Sequence, residues 1–161
     1  MKKFFIVLTG FLIGAIFFLP KQNIYYFVQQ KLAENKIHII SEINSNPLKL
    51  SLSNGKIYYK NMEIATFKNA DVYLFLVYNK AEIKDIKLKL GSYFVSFATL
   101  TYTVVSPFEI IIKAKGNFAD MSGTVNLKEK YVKLYFNNIK NPSIKRMLKK
   151  DKKGYYYYAK Y

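Results

Sequence analysis

The sequence has no cysteine and no tryptophan, one histidine, one arginine and four prolines among its 161 residues. Without cysteine there is no disulfide framework, zinc finger, iron–sulfur cluster or thiol nucleophile. A lone imidazole cannot build a multi-histidine metal site. His38 stands in Ile37-His38-Ile39-Ile40, where an ordinary half-buried strand residue is expected. Acidic residues are scarce as well: ten Asp and Glu against 26 Lys and Arg give a formal charge of +16. Most acids fall beside lysines, where cross-strand pairing accounts for them. Nothing favours a distant carboxylate pair of the glycosidase kind. Gly-x-Ser-x-Gly, a phosphate-binding glycine loop and His-Glu-x-x-His are all missing, and the seven glycines are scattered at turns. The expectation is a protein that is not an enzyme and carries no cofactor or metal.

What is abundant is apolar and aromatic: 51% apolar residues, with 15 Tyr and 13 Phe. That is enough for one folded core and excludes a disordered chain. Lys, Asn, Ile, Phe and Tyr all have A/T-rich codons, so base composition explains part of the charge, and the +16 is discounted as evidence of a partner.

Lys2 and Lys3 precede residues 4–19, an apolar run whose only polar member is Thr9. As a helix it would be about 24 Å long, against a hydrocarbon core of roughly 30 Å. Flanking Lys2, Lys3 and Lys21 can snorkel to close the difference. The run ends Phe17-Phe18-Leu19-Pro20-Lys21 and lacks the small-x-small pattern of a cleavage site. Residues 1–21 are therefore expected to be an uncleaved signal anchor, a single transmembrane helix, rather than a removed signal peptide. The positive-inside rule keeps its amino end cytoplasmic and exports the rest. Gly10-x-x-x-Gly14 matches a helix-pairing motif, although two glycines fall four apart readily by chance.

Residues 22–36 form the expected linker helix, with Ile24, Phe27, Val28 and Leu32 at helical spacing. It either packs on the next domain or lies on the membrane with Tyr25 and Tyr26 at headgroup level. Residues 37–139 read as one antiparallel β domain of roughly nine strands, a meander or groove of half-barrel or jellyroll kind. Leu48, Leu50 and Leu52 alternate with polar residues up to Asn54-Gly55, a hairpin signature. Strands are then predicted over 56–60, 63–68, 72–78 and 82–90. A longer strand over 93–105 slips phase near Ala98, which points to a bulge. Further strands are predicted over 108–115, 121–128 and 131–136. The class is mainly β with one or two short helices, the later one over 143–150 after Asn141-Pro142.

Tyr58, Tyr73, Phe75, Val77, Phe94 and Tyr102 supply more aromatic and apolar surface than one core face needs. They are the candidate apolar groove or partner surface, against the plainer reading that strands favour Tyr and Phe. Residues 140–161 carry eight Lys and Arg against Asp151, and close on Tyr155-Tyr156-Tyr157-Tyr158. Lys145, Arg146, Lys149, Lys150, Lys152 and Lys153 are candidate contacts to an anionic surface such as lipid headgroups. A final strand preceded by a solvated basic helix is the plainer reading. Nucleic acid ranks last, because export removes this segment from most of it.

Residues 50–65, Leu-Ser-Leu-Ser-Asn-Gly-Lys-Ile-Tyr-Tyr-Lys-Asn-Met-Glu-Ile-Ala, followed by Phe67-Lys-Asn-Ala-Asp-Val-Tyr-Leu, resemble the repeating unit of the AsmA-like proteins. The likeness is greatest to the branch of the type II secretion protein N. Gly116-Asn-Phe-Ala-Asp-Met-Ser-Gly-Thr-Val-Asn-Leu with Val132-Lys-Leu is similar to the paired-glycine strand turn near the end of such domains, at a longer glycine spacing. The resemblance implies a single-pass inner-membrane protein with a periplasmic β-groove and no catalytic residues. It implies an accessory part of a secretion or DNA-uptake apparatus, partnered by envelope proteins. The alternative it leaves is a lipid or lipopolysaccharide transport module using an apolar groove.

Overall fold

From Ile37 onward, polar and apolar residues alternate in short runs broken by Asn, Gly and Pro, and the chain answers with strands. The computed structural model describes residues 3, 6, 7, 9–11, 14, 20–75, 77–89 and 91–161. Helix α1 (Lys21–Glu34) is followed by β1 (Ile37–Ser45), β2 (Lys49–Tyr59), β3 (Met62–Leu74), β4 (Tyr78–Leu88) and β5 (Phe94–Thr103). Then come β6 (Glu109–Gly116), β7 (Asp120–Asn126), β8 (Tyr131–Asn137), helix α2 (Pro142–Met147), β9 (Lys149–Asp151) and β10 (Gly154–Lys160).

All ten strands form one open antiparallel sheet, in chain order from β1 to β8. Only the last hairpin departs from that order: β10 pairs with β8, and β9 becomes the edge. The arrangement is a meander without the crossing connections of a jellyroll. Among the described residues no helix is long and apolar enough to cross a membrane. The predicted anchor at 4–19 lies largely outside those residues, so they give it no support. Leu90, the predicted end of a strand, lies outside them too.

Asn54-Gly55 does not make the expected hairpin. It sits inside β2, and the turn comes at Lys60 and Asn61, both with positive φ (47° and 67°). Asn54 supplies a positive φ of 52° while the β1–β2 register shifts beside it, the signature of a bulge. Gly55 supplies room, since a Cβ there would stand 1.9 Å from Cζ of Phe67 on the paired strand. The same slip crosses the next strands. Leu52, Ala70, Ile83 and Ala98 are register partners in turn. Three residues along each strand, Gly55 pairs with Phe67 and Ile86 with Val95. A spacing of three would put side chains on opposite faces of a flat strand, but an aligned row of bulges returns them to one face. Asp85 contributes a second positive φ, and the β5–β6 register shifts between Val95 and Phe97, close to the predicted bulge at Ala98. This row explains why strands predicted as pairs of short pieces, 48–53 with 56–60 and 63–68 with part of 72–78, are continuous β2 and β3.

The predicted strand 72–78 is cut by the β3–β4 turn, where the Phe75 N–H donates to Asn79 Oδ1. The predicted helix 143–150 is α2, started by Asn141 Oδ1 accepting from the Ser143 N–H. The basic tail is thus folded, as α2 and the β9–β10 hairpin.

Helix α1 packs on the inner face of the sheet through Tyr25, which is 8% exposed and clusters with Leu50, Leu52, Phe67 and Ala70. Gln22 donates to Ser45 Oγ and Gln29 to the Ile39 carbonyl, so the helix runs antiparallel along β1. Phe27 and Val28, at helical spacing with Ile24 and Leu32, are exposed. A second cluster on the same face, Val95, Ala98, Phe118 and Ala119, is roofed by Ile139 and by Ile144 of α2.

The outer face is polar. Asp71 accepts from Ser51 Oγ at 2.6 Å and Lys49 Nζ at 2.9 Å, and Lys80–Glu82 and Lys89–Glu63 pair nearby. Burial opposes ionisation of Asp71, but these bonds outweigh it and hold its carboxyl below the ordinary carboxylate value. A depressed carboxylate stabilises the fold above its unfolded pKa and loses that contribution as pH falls through the folded value. Asp71→Asn is therefore expected to flatten the acid limb of a plot of urea midpoint against pH, by under about 1 kcal/mol for a pair this exposed.

Candidate functional site

Between the two clusters and the far side of the sheet, the inner face continues without a cover among the described residues. Register places Leu100 beside Ile112, Ile112 beside Gly123, and Gly123 beside Leu134. One row toward the β5–β6 turn, Tyr102 neighbours Ile110, Ile110 neighbours Val125, and Val125 neighbours Val132. Every one of these side chains is partly exposed and belongs to neither core cluster. Gly123 adds no side chain to the row between Ile112 and Leu134, because the backbone of β8 comes too close there to admit one. The result is an apolar trough running across β5 to β8, on a polar-backed sheet.

One corner of this face is cationic. Tyr155 pairs with Phe136 on one side and Lys150 on the other. Lys145 Nζ lies 5.0 Å and Lys150 Nζ 5.7 Å from the Tyr155 ring centroid. The other candidate cations, Arg146, Lys149, Lys152 and Lys153, are exposed on α2, β9 and the β9–β10 turn. On the outer face Lys133 stands 4.9 Å from the Tyr135 ring and 4.6 Å from that of Tyr156, and Asp151 accepts from Tyr135 Oη at 3.0 Å. These tyrosines are occupied by their own neighbours.

The six predicted groove residues do not come together. Tyr102 alone lies in the trough. Tyr73 shares the outer face with Lys49 and Lys80, Phe94 sits opposite Lys87, and Tyr58 lies with His38, Ile40 and Asn61 around a shallow depression near the β1 edge. Phe75 and Val77 belong to the β3–β4 turn. The residues missed were aliphatic: Leu100, Ile110, Ile112, Val125, Val132 and Leu134. Their signal was strand phase, not aromatic content. Among the described residues no group of His, Asp and Glu could hold a metal ion. No protein-family model, curated protein or solved structure matches the chain.

Proposed function

We propose that the protein is a non-catalytic, membrane-anchored β-sheet module that holds an anionic lipid on its uncovered inner face. The observation that carries this reading is the trough of Leu100, Ile112 and Leu134 with Lys145 and Lys150 at its corner. Acyl chains fit an apolar strip without enclosed walls, and phosphate fits the cations. The run at 4–19 would hold the module at the inner membrane, with the sheet on the periplasmic side, in line with the AsmA-like resemblance.

Native mass spectrometry of the full chain, extracted gently from membranes, tests the reading. Stoichiometric anionic lipid is expected, lost in Ile112→Asp and Leu134→Asp and kept in Thr99→Asp, which faces the other side. Extraction without lipid, under conditions that preserve lipid on other membrane proteins, would refute it.

A second reading, an accessory role in a secretion or DNA-uptake apparatus, is favoured by the β1 edge. The Lys60 N–H donates to the Lys36 carbonyl, which sets the ladder so that Ile37 and Ile39 turn their backbone groups away from β2. Gln29 occupies the Ile39 carbonyl. The rest of a nine-residue edge strand stands ready to pair with a partner's strand.

A further inference from the structure

In a meander, alternate turns share an end of the sheet. The β1–β2, β3–β4, β5–β6 and β7–β8 turns therefore stand in a row, and the chain terminus joins them, because the Tyr161 N–H bonds to the Lys130 carbonyl. Each turn in that row raises a large apolar side chain into solvent. Leu48, Val77, Val105 and Leu127 occupy the four tips in order, with Phe108 beside Val105. Val105 is 89% exposed. The opposite end differs. Among the described residues of its turns, the exposed large apolar ones are Tyr59 and Met62 at a single turn, with Met147 exposed at the end of α2 beyond β8; Lys89, Gly91, Ser92, Asn117 and Asn138 are among the others.

We propose that the row of tips is a membrane-docking edge, which enters the interfacial layer of an anionic bilayer. Isolated exposed apolar residues are ordinary, but one on each of four successive hairpins, all at one end, makes a line. Two further observations select a bilayer as the occupant. Gln22 bonds to Ser45, so α1 begins at this same end, directly after the apolar run at 4–19 in the sequence. Exposed Lys128, Lys130 and Lys160 flank the tips, outnumber exposed Glu109 and Glu129 there, and suit lipid phosphate. Side chains of this size bury well in the headgroup and acyl boundary, as an amphipathic helix does with its apolar face. The basic hairpin turn at Lys152 and Lys153 lies at the other end of the sheet, so this edge approaches the bilayer with the basic turn held away from it.

The inference rests on the tips and not on lipid binding by the trough, and the two can fail separately. The absence of tryptophan makes a direct test possible. Val105→Trp, Leu127→Trp and, at the far end, Met62→Trp are each placed in the full chain and reconstituted into phosphatidylethanolamine–phosphatidylglycerol vesicles containing brominated lipid. Val105→Trp and Leu127→Trp are expected to emit at shorter wavelength and to lose most of their intensity to bromine. Met62→Trp should emit as in water. Because the two tip variants sit on different hairpins, a folding failure of one, seen by circular dichroism, leaves the other to decide. Water-like, unquenched emission at the tips would overturn the proposal, as would equal quenching at Met62→Trp.

Discussion

Phe67→Ala is expected to lower the unfolding free energy by about 3–5 kcal/mol, the range for emptying an aromatic site in a core. Phe67 is 5% exposed and sits at the centre of the cluster beneath α1. Its ring lies against Gly55, where a Cβ would stand within 2.4 Å of three ring atoms. Two consequences follow. Gly55→Ala should itself be destabilising, by about 1–3 kcal/mol, because the ring must leave its place. Combined with Phe67→Ala it should add little, since the atoms it would strike are gone. A double-mutant cycle in urea reads this directly. Additive effects would mean that Gly55 is needed for its backbone and not for the space above it.

Gly123→Ala is expected to be harmful in a way that no second truncation repairs. A Cβ at Gly123 would stand 2.0 Å from the carbonyl oxygen of Lys133 and 2.8 Å from Cα of Leu134. These are backbone atoms of the paired strand, so relief requires β7 and β8 to move apart. Overpacking that shifts backbone typically costs about 1–3 kcal/mol and sometimes more, and the upper part of that range is expected. Loss should be regional: hydrogen exchange should quicken in β8 and β10, whose strand pairing connects to the rest of the sheet only through β7. Uniform loss of protection from β1 onward would contradict this.

Residue types, turns and alternation made the mainly β class, the absence of helical crossovers and most strand centres legible. Gly91, Pro107 and Gly116 all fall at or beside turns as read. The misreadings share a cause. Asn-Gly encodes a positive φ, which a bulge uses as well as a hairpin does, so one residue pair had two meanings. The tell was the apolar spacing of three at Leu52 and Gly55, Phe67 and Ala70, and Ile83 and Ile86. It contradicts a period of two unless each strand is bulged. A C-terminal strand after a basic helix is legible as the plainest reading of the tail, but its facing is not. Four consecutive tyrosines present the same residue to both faces and therefore carry no phase. Aromatic content marks Tyr58, Tyr73, Phe75, Phe94 and Tyr102 as surface, but which face a residue joins depends on bulge positions. Those had to be known before Leu100, Ile112 and Leu134 could be set side by side.

The reversal of β9 and β10 at the far edge leaves the rest of the sheet as a simple succession in which each strand touches only its predecessor and its successor. Such a protein behaves as a chain of hairpin units, with stability close to a sum of unit and nearest-neighbour terms. Duplicating or deleting one hairpin would widen or narrow the sheet without rethreading any other connection. The width of the inner face is thus set by a hairpin count, a quantity that ordinary gene slippage can change two strands at a time.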